Sequence, residues 1–141
     1  MADVKANDSS GQLLTFECCG EIYAFDILSV LDIIEIYDIT PLPLVADYIL
    51  GIINLRGKAV PVMDLALKLG LGEPEYNAQS CLIVVDCDGS PLAVKVERVI
   101  DAESYSRMGM SLSPVENSYV TGYAYLNDRR VTVLDCVKLT S

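Results

Sequence analysis

The stretch that decides the fold runs Gly51-Ile52-Ile53-Asn54-Leu55-Arg56-Gly57-Lys58-Ala59-Val60-Pro61-Val62-Met63-Asp64. Two apolar segments flank a polar tip, an order that is typical of a β-hairpin with its charged residues at the turn. Arg56 at this tip is the first arginine of the chain. A guanidinium on a rigid turn suits a carboxylate or backbone carbonyls of a partner. The alternative is a solvated turn residue, whose exposed ion pair would contribute about 0–1 kcal/mol.

The hairpin occurs twice in the chain. Residues 48–68 align without a gap on residues 119–139, at an offset of 71 positions. Earlier positions repeat at an offset of 69, so that Leu14 corresponds to Ile83 and Asp32 to Asp101. We interpret the recurring positions of the hairpin as the framework of a structural repeat. These framework residues are Gly51, Leu55, Val60, Val62 and Asp64 in the first copy and Gly122, Leu126, Val131, Val133 and Asp135 in the second.

The turn signals predict an all-β fold. They recur at short intervals and separate runs rich in Val, Ile, Leu and Tyr, as in a barrel or sandwich. We expect a single domain over residues 1–141, built from two β units over residues 12–72 and 81–141, each with about five short strands. Closed or nearly closed barrels would hide the strand edges. Short helical turns are expected after Asp64 and Asp135, because aspartate caps helix N-termini.

The charge balance limits the classes of partner. The chain carries a net charge of −10 with 10 basic residues, which argues against nucleic acid and against anionic lipid as the main ligand. Simple solubility explains the acidity, and attraction to a basic partner surface is the sharper alternative. The polar start of the chain lacks the layout of a signal peptide, and the apolar runs fall short of the roughly 18 residues of a spanning helix. We therefore expect a cytoplasmic protein without direct membrane insertion.

The residue types give little support to catalysis. The chain has five cysteines and no histidine, and its cysteine spacing fits no zinc site. We expect the cysteines to fill the core in a reducing compartment. The commonest general base is missing and the glycines form no phosphate-binding motif, so we expect neither an enzyme nor a cofactor or metal. Two rivals remain: an enzyme that uses the acid pair Asp86 and Asp88, and a purely structural oligomer.

The segment Val30-Leu31-Asp32-Ile33-Ile34 predicts a strand that borders a binding groove. Because strand side chains alternate, Val30, Asp32 and Ile34 share one face. If Leu31 and Ile33 fill the barrel, Val30 and Asp32 face outward beside Ile34, as an apolar rim with one acid. The alternative is an ordinary solvated acid beside a surface valine.

Several stretches resemble the CheW family of chemotaxis coupling proteins. The family pattern I-T-P-x-P matches 39–43, and the pattern Y-x-x-G-x-I-N-L-R-G matches 48–57. Weaker similarity covers residues 12–140. The resemblance implies two five-stranded SH3-like barrels packed around a shared apolar core, in agreement with the repeat.

The resemblance also implies a function. It indicates a non-enzymatic scaffold that couples chemoreceptors to the histidine kinase CheA in bacterial chemotaxis-type signal transduction. The implied partners are the CheA regulatory domain, which has the same fold, and the cytoplasmic tip of a methyl-accepting chemoreceptor in membrane-associated receptor arrays. Close relatives serve gliding, pilus-linked and other chemosensory pathways, so a coupling protein of such a pathway is the alternative.

The resemblance carries over to four positions. It implies that Val30, Asp32, Gly51 and Arg56 contact the receptor, whose helical hairpin would enter the groove between the two barrels. The family often has Glu in place of Asp32, so the contact here would be one methylene shorter. In the second copy Asn127 stands where the first has Arg56. Since a turn forms without arginine, we interpret Arg56 as a partner-recognition residue.

Overall fold

The computed structural model describes residues 10–35, 37–106, 110–112, 119–126 and 128–140. These residues form eleven strands, two short α-helices and one 3₁₀ turn. The strands are β1 (Ser10–Cys18), β2 (Glu21–Asp26), β3 (Val30–Ile34), β4 (Ile49–Leu55), β5 (Lys58–Asp64), β6 (Cys81–Cys87), β7 (Ser90–Val96), β8 (Arg98–Ser106), β9 (Met110–Leu112), β10 (Val120–Leu126) and β11 (Arg129–Leu134). The helices are α1 (Leu65–Leu69) and α2 (Cys136–Leu139), and the 3₁₀ turn covers Ile27–Ser29.

The strands form two sheets of the same plan. Sheet A has the order β8-β1-β2-β11-β10-β9, and sheet B has the order β3-β6-β7-β5-β4. Paired strands run antiparallel except β2 with β11 and β5 with β7, which run parallel. When residue numbers are shifted by the repeat offsets, each strand of sheet B corresponds to a strand of sheet A, and the order of the strands is the same in both sheets. The short β9 is an extra strand at the edge of sheet A. The all-β prediction is confirmed, and the sequence repeat is a structural repeat.

Each sheet nevertheless combines strands from both sequence copies. Sheet A takes β1 and β2 from the first copy and its other strands from the second, whereas sheet B takes β6 and β7 from the second copy. The predicted units 12–72 and 81–141 are therefore sequence repeats and not separate barrels, which corrects the expected division. Turn chemistry and alternation are local and specify hairpins, whereas the hairpin's neighbour in the sheet is chosen by non-local burial.

Three apolar clusters fill the interior. The largest draws on both sheets and both helices, and includes Phe16, Phe25 and Met63. A second lies within sheet A around Leu13 and Val131, and a third lies within sheet B. Repeat-related residues occupy the second and third clusters. Some strands are therefore buried on both faces, because one face packs on the shared apolar core and the other faces the interior of a barrel.

Alternation assigns residues of one strand to different clusters. In β6, Ile83 and Val85 belong to the shared core, while Leu82 and Val84 belong to the cluster of sheet B. The framework positions follow the same plan, because most of them are buried. Those with less than a tenth of their surface exposed are Gly51, Val60, Val62, Asp64, Gly122, Leu126, Val131 and Val133.

The hairpins turn through paired residues with positive φ. Two such residues in succession give a type I′ turn, whose twist matches that of the flanking strands. The turns of this kind in the described chain are Cys19-Gly20, Arg56-Gly57 and Asp88-Gly89. The predicted turn at Asn127 falls outside the described residues.

The two predicted helix caps are confirmed. The Asp64 carboxylate accepts a hydrogen bond from the Leu67 amide at 3.2 Å, and α1 ends at Gly70 with φ 67°. The Asp135 carboxylate accepts hydrogen bonds from the Val137 amide at 3.0 Å and the Lys138 amide at 3.3 Å. An aspartate thus closes each repeat unit and starts a helix that packs on the shared core.

Candidate functional site

A groove of about 430 Å³ opens on sheet B. Its walls come from β3, the β4–β5 hairpin, β6 and the turn between β6 and β7. Apolar side chains supply most of its lining, and charged groups stand among them. The lining residues are Leu31, Asp32, Leu55, Arg56, Lys58, Val60, Val84, Asp86, Gly89 and Pro91. All of them belong to sheet B or its turns, so this groove is not a cleft between the two sheets.

Arg56 and Asp32 meet at this groove. The Arg56 Nη2 atom lies 3.4 Å from the Asp32 Oδ2 atom, although 24 positions separate the residues in the chain. The other carboxylate oxygen of Asp32 accepts a hydrogen bond from the Ile33 amide at 2.8 Å. The Arg56 side chain is 79% exposed and that of Asp32 is 32% exposed. An ion pair this open to water contributes about 0–1 kcal/mol, so it orients the guanidinium more than it stabilises the fold.

The turn presents Arg56 in a defined backbone conformation. Arg56 has φ 53° and Gly57 has φ 85°, and the Gly57 amide donates a hydrogen bond to the Asn54 side chain at 3.1 Å. Glycine is favoured at the second position because positive φ carries no steric cost there. The backbone under the guanidinium is therefore fixed, while the side chain extends into solvent.

The acids at the far wall stabilise a turn. The Asp86 carboxylate accepts a hydrogen bond from the Gly89 amide at 2.8 Å, and Asp88 lies within the turn with φ 56°. Among the described residues no group of three or more His, Cys, Asp or Glu side chains is placed to hold a metal ion. The groove therefore offers an apolar floor with charged groups on its walls, an arrangement suited to binding a protein segment.

The predicted orientation of β3 is wrong. Leu31 is 56% exposed and Ile33 is 40% exposed, whereas Val30 packs against the shared core and Ile34 against the cluster of sheet B. β3 is an edge strand, and its register with β6 shifts between Val30 and Asp32. Both faces of the strand carry aliphatic residues, so composition could not show which face is buried.

Gly51 has a structural explanation. It is buried with φ 147°, and a Cβ atom there would lie 2.1 Å from the Thr40 carbonyl oxygen. Thr40 and Ile52 exchange two backbone hydrogen bonds of 2.8 and 2.9 Å beside it. Of the four positions predicted to contact a receptor, Asp32 and Arg56 line the groove, and Val30 and Gly51 do not.

Two exposed leucines were missed by the sequence reasoning. Leu31 lines the groove and does not fill the barrel interior. Leu28 is 90% exposed in the 3₁₀ turn that precedes β3. Its amide donates to the Asp26 carboxylate at 3.0 Å, so Asp26 caps this turn. An aspartate two residues before Leu28 is the local signal that could have predicted the turn.

Comparisons with known proteins agree with this architecture. The family model described as the CheW-like domain matches residues 12–141. The chain belongs to the CheW family. It is 30% identical to the chemotaxis protein CheW of Klebsiella aerogenes over 142 residues, covering 96% of this chain and 86% of the relative. It is also 30% identical to the chemotaxis protein CheW of Thermotoga maritima, covering 91% and 86% of the two chains.

A solved CheW structure has the same fold. The scaffolding protein TtCheW from Thermoanaerobacter tengcongensis matches with a TM-score of 0.87 and 27% identity, covering 92% of this chain and 91% of that one. CheW proteins are non-enzymatic adaptors, and membership of the family makes this chain a chemotaxis-type coupling adaptor. In the part of the chain that the structure describes, no helix is long and apolar enough to cross a membrane.

Proposed function

We propose that this CheW-family chain couples the cytoplasmic tips of chemoreceptors to the histidine kinase CheA, and that the groove of sheet B takes part in receptor binding. The observation that carries the proposal is the Arg56–Asp32 pair, held at an apolar groove by a rigid turn. We further propose that the chain works in the cytoplasm, at membrane-bound receptor arrays.

The groove suits the side of a helical hairpin. Exposed Leu31 and the aliphatic lining would bury apolar side chains of a receptor helix, as in other helix-in-groove complexes. The Arg56 guanidinium could reach a carboxylate or the carbonyls at a helix end, and its planar fork suits either group. A groove of this size gives modest affinity for a single receptor. Repeated contacts in an array would raise the overall strength of binding.

The kinase contact belongs on a different surface. In the coupling role, one chain must bind receptor and kinase at the same time, so the two sites cannot coincide. We propose that the CheA regulatory domain pairs with this chain through the ends of the barrels. The family resemblance implies that this domain and the coupling protein share one fold. Formation of a ternary complex by receptor, kinase and this chain would support separate sites, and competition between the two partners would oppose it.

The direct test is Arg56→Glu. Truncating or reversing a buried interfacial charge costs about 2–5 kcal/mol, so receptor affinity should fall by about 30-fold or more. The measurement is co-sedimentation of the variant with receptor-containing membranes over a range of concentrations. Normal co-sedimentation with a native circular dichroism spectrum would rule out the proposed role of Arg56.

Arg98→Glu is the matched control. Arg98 forms an exposed ion pair on sheet A, with its Nε atom 2.7 Å from the Glu17 Oε1 atom. The control makes the same change in net charge and also breaks a surface ion pair, away from the groove. It should bind receptor as the parent does. Equal losses for the two variants would show that net charge, and not the groove, governs binding.

A charge exchange distinguishes a direct receptor contact of Arg56 from a purely internal role in its ion pair with Asp32. Asp32→Arg combined with Arg56→Asp restores an ion pair within the chain but moves the guanidinium to β3. If Arg56 contacts the receptor directly, the exchanged protein should bind as weakly as Arg56→Glu. Recovery of binding would instead assign the pair a purely internal role.

A further inference from the structure

Two thiols join the end of β6 to the start of α2. The Cys87 thiol donates a hydrogen bond to the Cys136 carbonyl at 3.2 Å, and the Cys136 thiol donates one to the Asp86 carbonyl at 3.3 Å. Both residues are 7% exposed, and neither forms a disulfide. Each thiol therefore binds the backbone of the other element, and two reduced cysteines meet where β6 ends and α2 begins.

The repeat shows that packing does not require the second thiol. Cys87 corresponds to Cys18, and Cys136 corresponds to Leu65, which is the first residue of α1. Leu65 is fully buried in the shared core that also contains Cys136. A leucine therefore fills the equivalent site at the start of the other helix. The feature peculiar to this copy is a thiol at that position, directly beside another thiol.

We propose that Cys87 and Cys136 form an oxidisable dithiol site that hydrogen peroxide converts to an intramolecular disulfide and a thiol reductant restores. In the first step the Cys136 thiolate attacks a peroxide oxygen, the O–O bond breaks, and the leaving hydroxide takes a proton to become water. In the second step the Cys87 sulfur attacks the Cys136 sulfenic acid, and hydroxide leaves with the Cys87 proton as a second water. Two thiols lose two electrons, and one peroxide is reduced to two waters.

The surroundings of the thiols favour this order of events. The neighbouring Cys87 thiol lowers the pKa of Cys136, whereas the neighbouring Cys136 sulfur, together with burial, raises the pKa of Cys87. The thiolate is the reactive form, so Cys136 is the sulfur that meets the oxidant and Cys87 the one that resolves it. The dithiol also adjoins the groove, because the carbonyl that Cys136 holds belongs to groove-lining Asp86.

The test treats the folded, fully reduced chain with hydrogen peroxide and reads its intact mass. We expect the loss of two hydrogen atoms, a single bridge between Cys87 and Cys136 in the peptide map, and full reversal by dithiothreitol. Cys81→Ser is the matched control, since it removes another buried thiol and should leave the bridge intact. Cys136→Ser should abolish the mass loss. Cys136→Leu copies the residue of the other repeat and serves if the serine variant fails to fold.

Three outcomes would overturn the proposal. A bridge that involves Cys18, Cys19 or Cys81 would place the oxidisable site elsewhere. Conversion of Cys136 to sulfinic acid while Cys87 stays a thiol would show that the pair cannot close. An unchanged mass in folded protein, at peroxide concentrations that oxidise an unfolded sample, would show that burial keeps both thiols inert.

Discussion

At the scale of single residues, comparing the two copies of the repeat distinguishes contacts that belong to the fold from contacts that serve recognition. The Asp32 carboxylate binds the next amide in the chain, and Asp101 does the same with the Ala102 amide at 2.7 Å. That local contact recurs, so it belongs to the fold. The ion pair to Arg56 is the additional interaction of the first copy, and it gives Arg56 an internal partner that the sequence did not reveal.

Gly51→Ala should destabilise the protein by about 3 kcal/mol or more. The new Cβ would lie 2.1 Å from the Thr40 carbonyl oxygen, and φ 147° is a strained conformation for alanine. The backbone pairing of Thr40 with Ile52 would have to shift to make room. Urea unfolding followed by circular dichroism measures the free energy of unfolding.

Gly20→Ala is the control for that substitution. Gly20 also has positive φ, at 81°, but nothing lies within 4 Å of the position of its Cβ. Gly20→Ala should therefore lower the free energy of unfolding by only about 1–2 kcal/mol, which is the cost of positive φ for a residue with a Cβ atom. Equal effects at the two glycines would contradict the close approach at Gly51.

At the scale of elements, the two capped helices are a matched pair with one difference. Each cap aspartate starts a helix, and its amide donates to a tyrosine carbonyl at 2.8 Å, that of Tyr48 for Asp64 and that of Tyr119 for Asp135. Asp64 is 6% exposed and also accepts a hydrogen bond from the Tyr76 hydroxyl at 2.8 Å. The first cap thus ties α1 to the segment that links the two repeats.

Asp64→Ala should cost more stability than Asp135→Ala. Loss of an N-cap typically costs about 1 kcal/mol, which is the value expected at Asp135. Asp64→Ala should cost about 2–3 kcal/mol, because it also leaves the half-buried Tyr76 hydroxyl without its acceptor. Urea denaturation of both variants compares them.

Tyr76→Phe checks the reason for that difference. It removes the hydroxyl and its hydrogen bond but keeps the cap, so it should cost about 1 kcal/mol. Asp64→Ala in the Tyr76→Phe background should then cost no more than Asp135→Ala. A larger cost in that background would show that Tyr76 does not account for the extra stabilisation.

At the scale of the whole molecule, the topology makes the two sequence copies interdependent. A fragment of residues 12–72 or 81–141 lacks strands that the intact sheets supply from the other copy. Each fragment alone should therefore lack the circular dichroism spectrum of a folded β protein. An equimolar mixture should recover it. A fragment that unfolds cooperatively by itself would contradict the exchange of strands between the copies.

The buried thiols and phenols predict a loss of stability in alkali. Burial raises the pKa of the Cys18 thiol above its ordinary 9.0, and raises the pKa of Tyr23 from 10.0 to about 12. The unfolded chain releases the thiol proton above about pH 9 and the phenol proton above about pH 10, whereas the folded chain keeps both to higher pH. The unfolded state then binds fewer protons, so the free energy of unfolding falls as pH rises, by up to about 1.4 kcal/mol per pH unit for each group.

Urea unfolding between pH 7.5 and 10.5 measures that loss. Cys18→Ala should make the decline shallower from about pH 9, because one of the groups that stay protonated on folding is gone. A pH-independent free energy of unfolding over this range would contradict the prediction.

The sequence by itself determined the local structure of this protein. Alternating apolar residues, glycines at turns and the aspartates Asp64 and Asp135 predicted strands, hairpins and capped helices, because each depends on neighbours within a few positions. The sequence repeat predicted two similar β units, and the family resemblance implied the shared apolar core. Resemblance in the stretch around Arg56 predicted the family to which the chain belongs.

Only the tertiary structure decided which strands share a sheet and which residues meet. The pairing of β2 with β11 and of β5 with β7, the exposed face of β3, and the approach of Arg56 to Asp32 all join positions that are distant in the chain. The meeting of Cys87 with Cys136 is of the same kind. Such contacts depend on how the two sheets pack around the three apolar clusters. Local sequence patterns do not specify that packing, because it joins residues far apart in the chain.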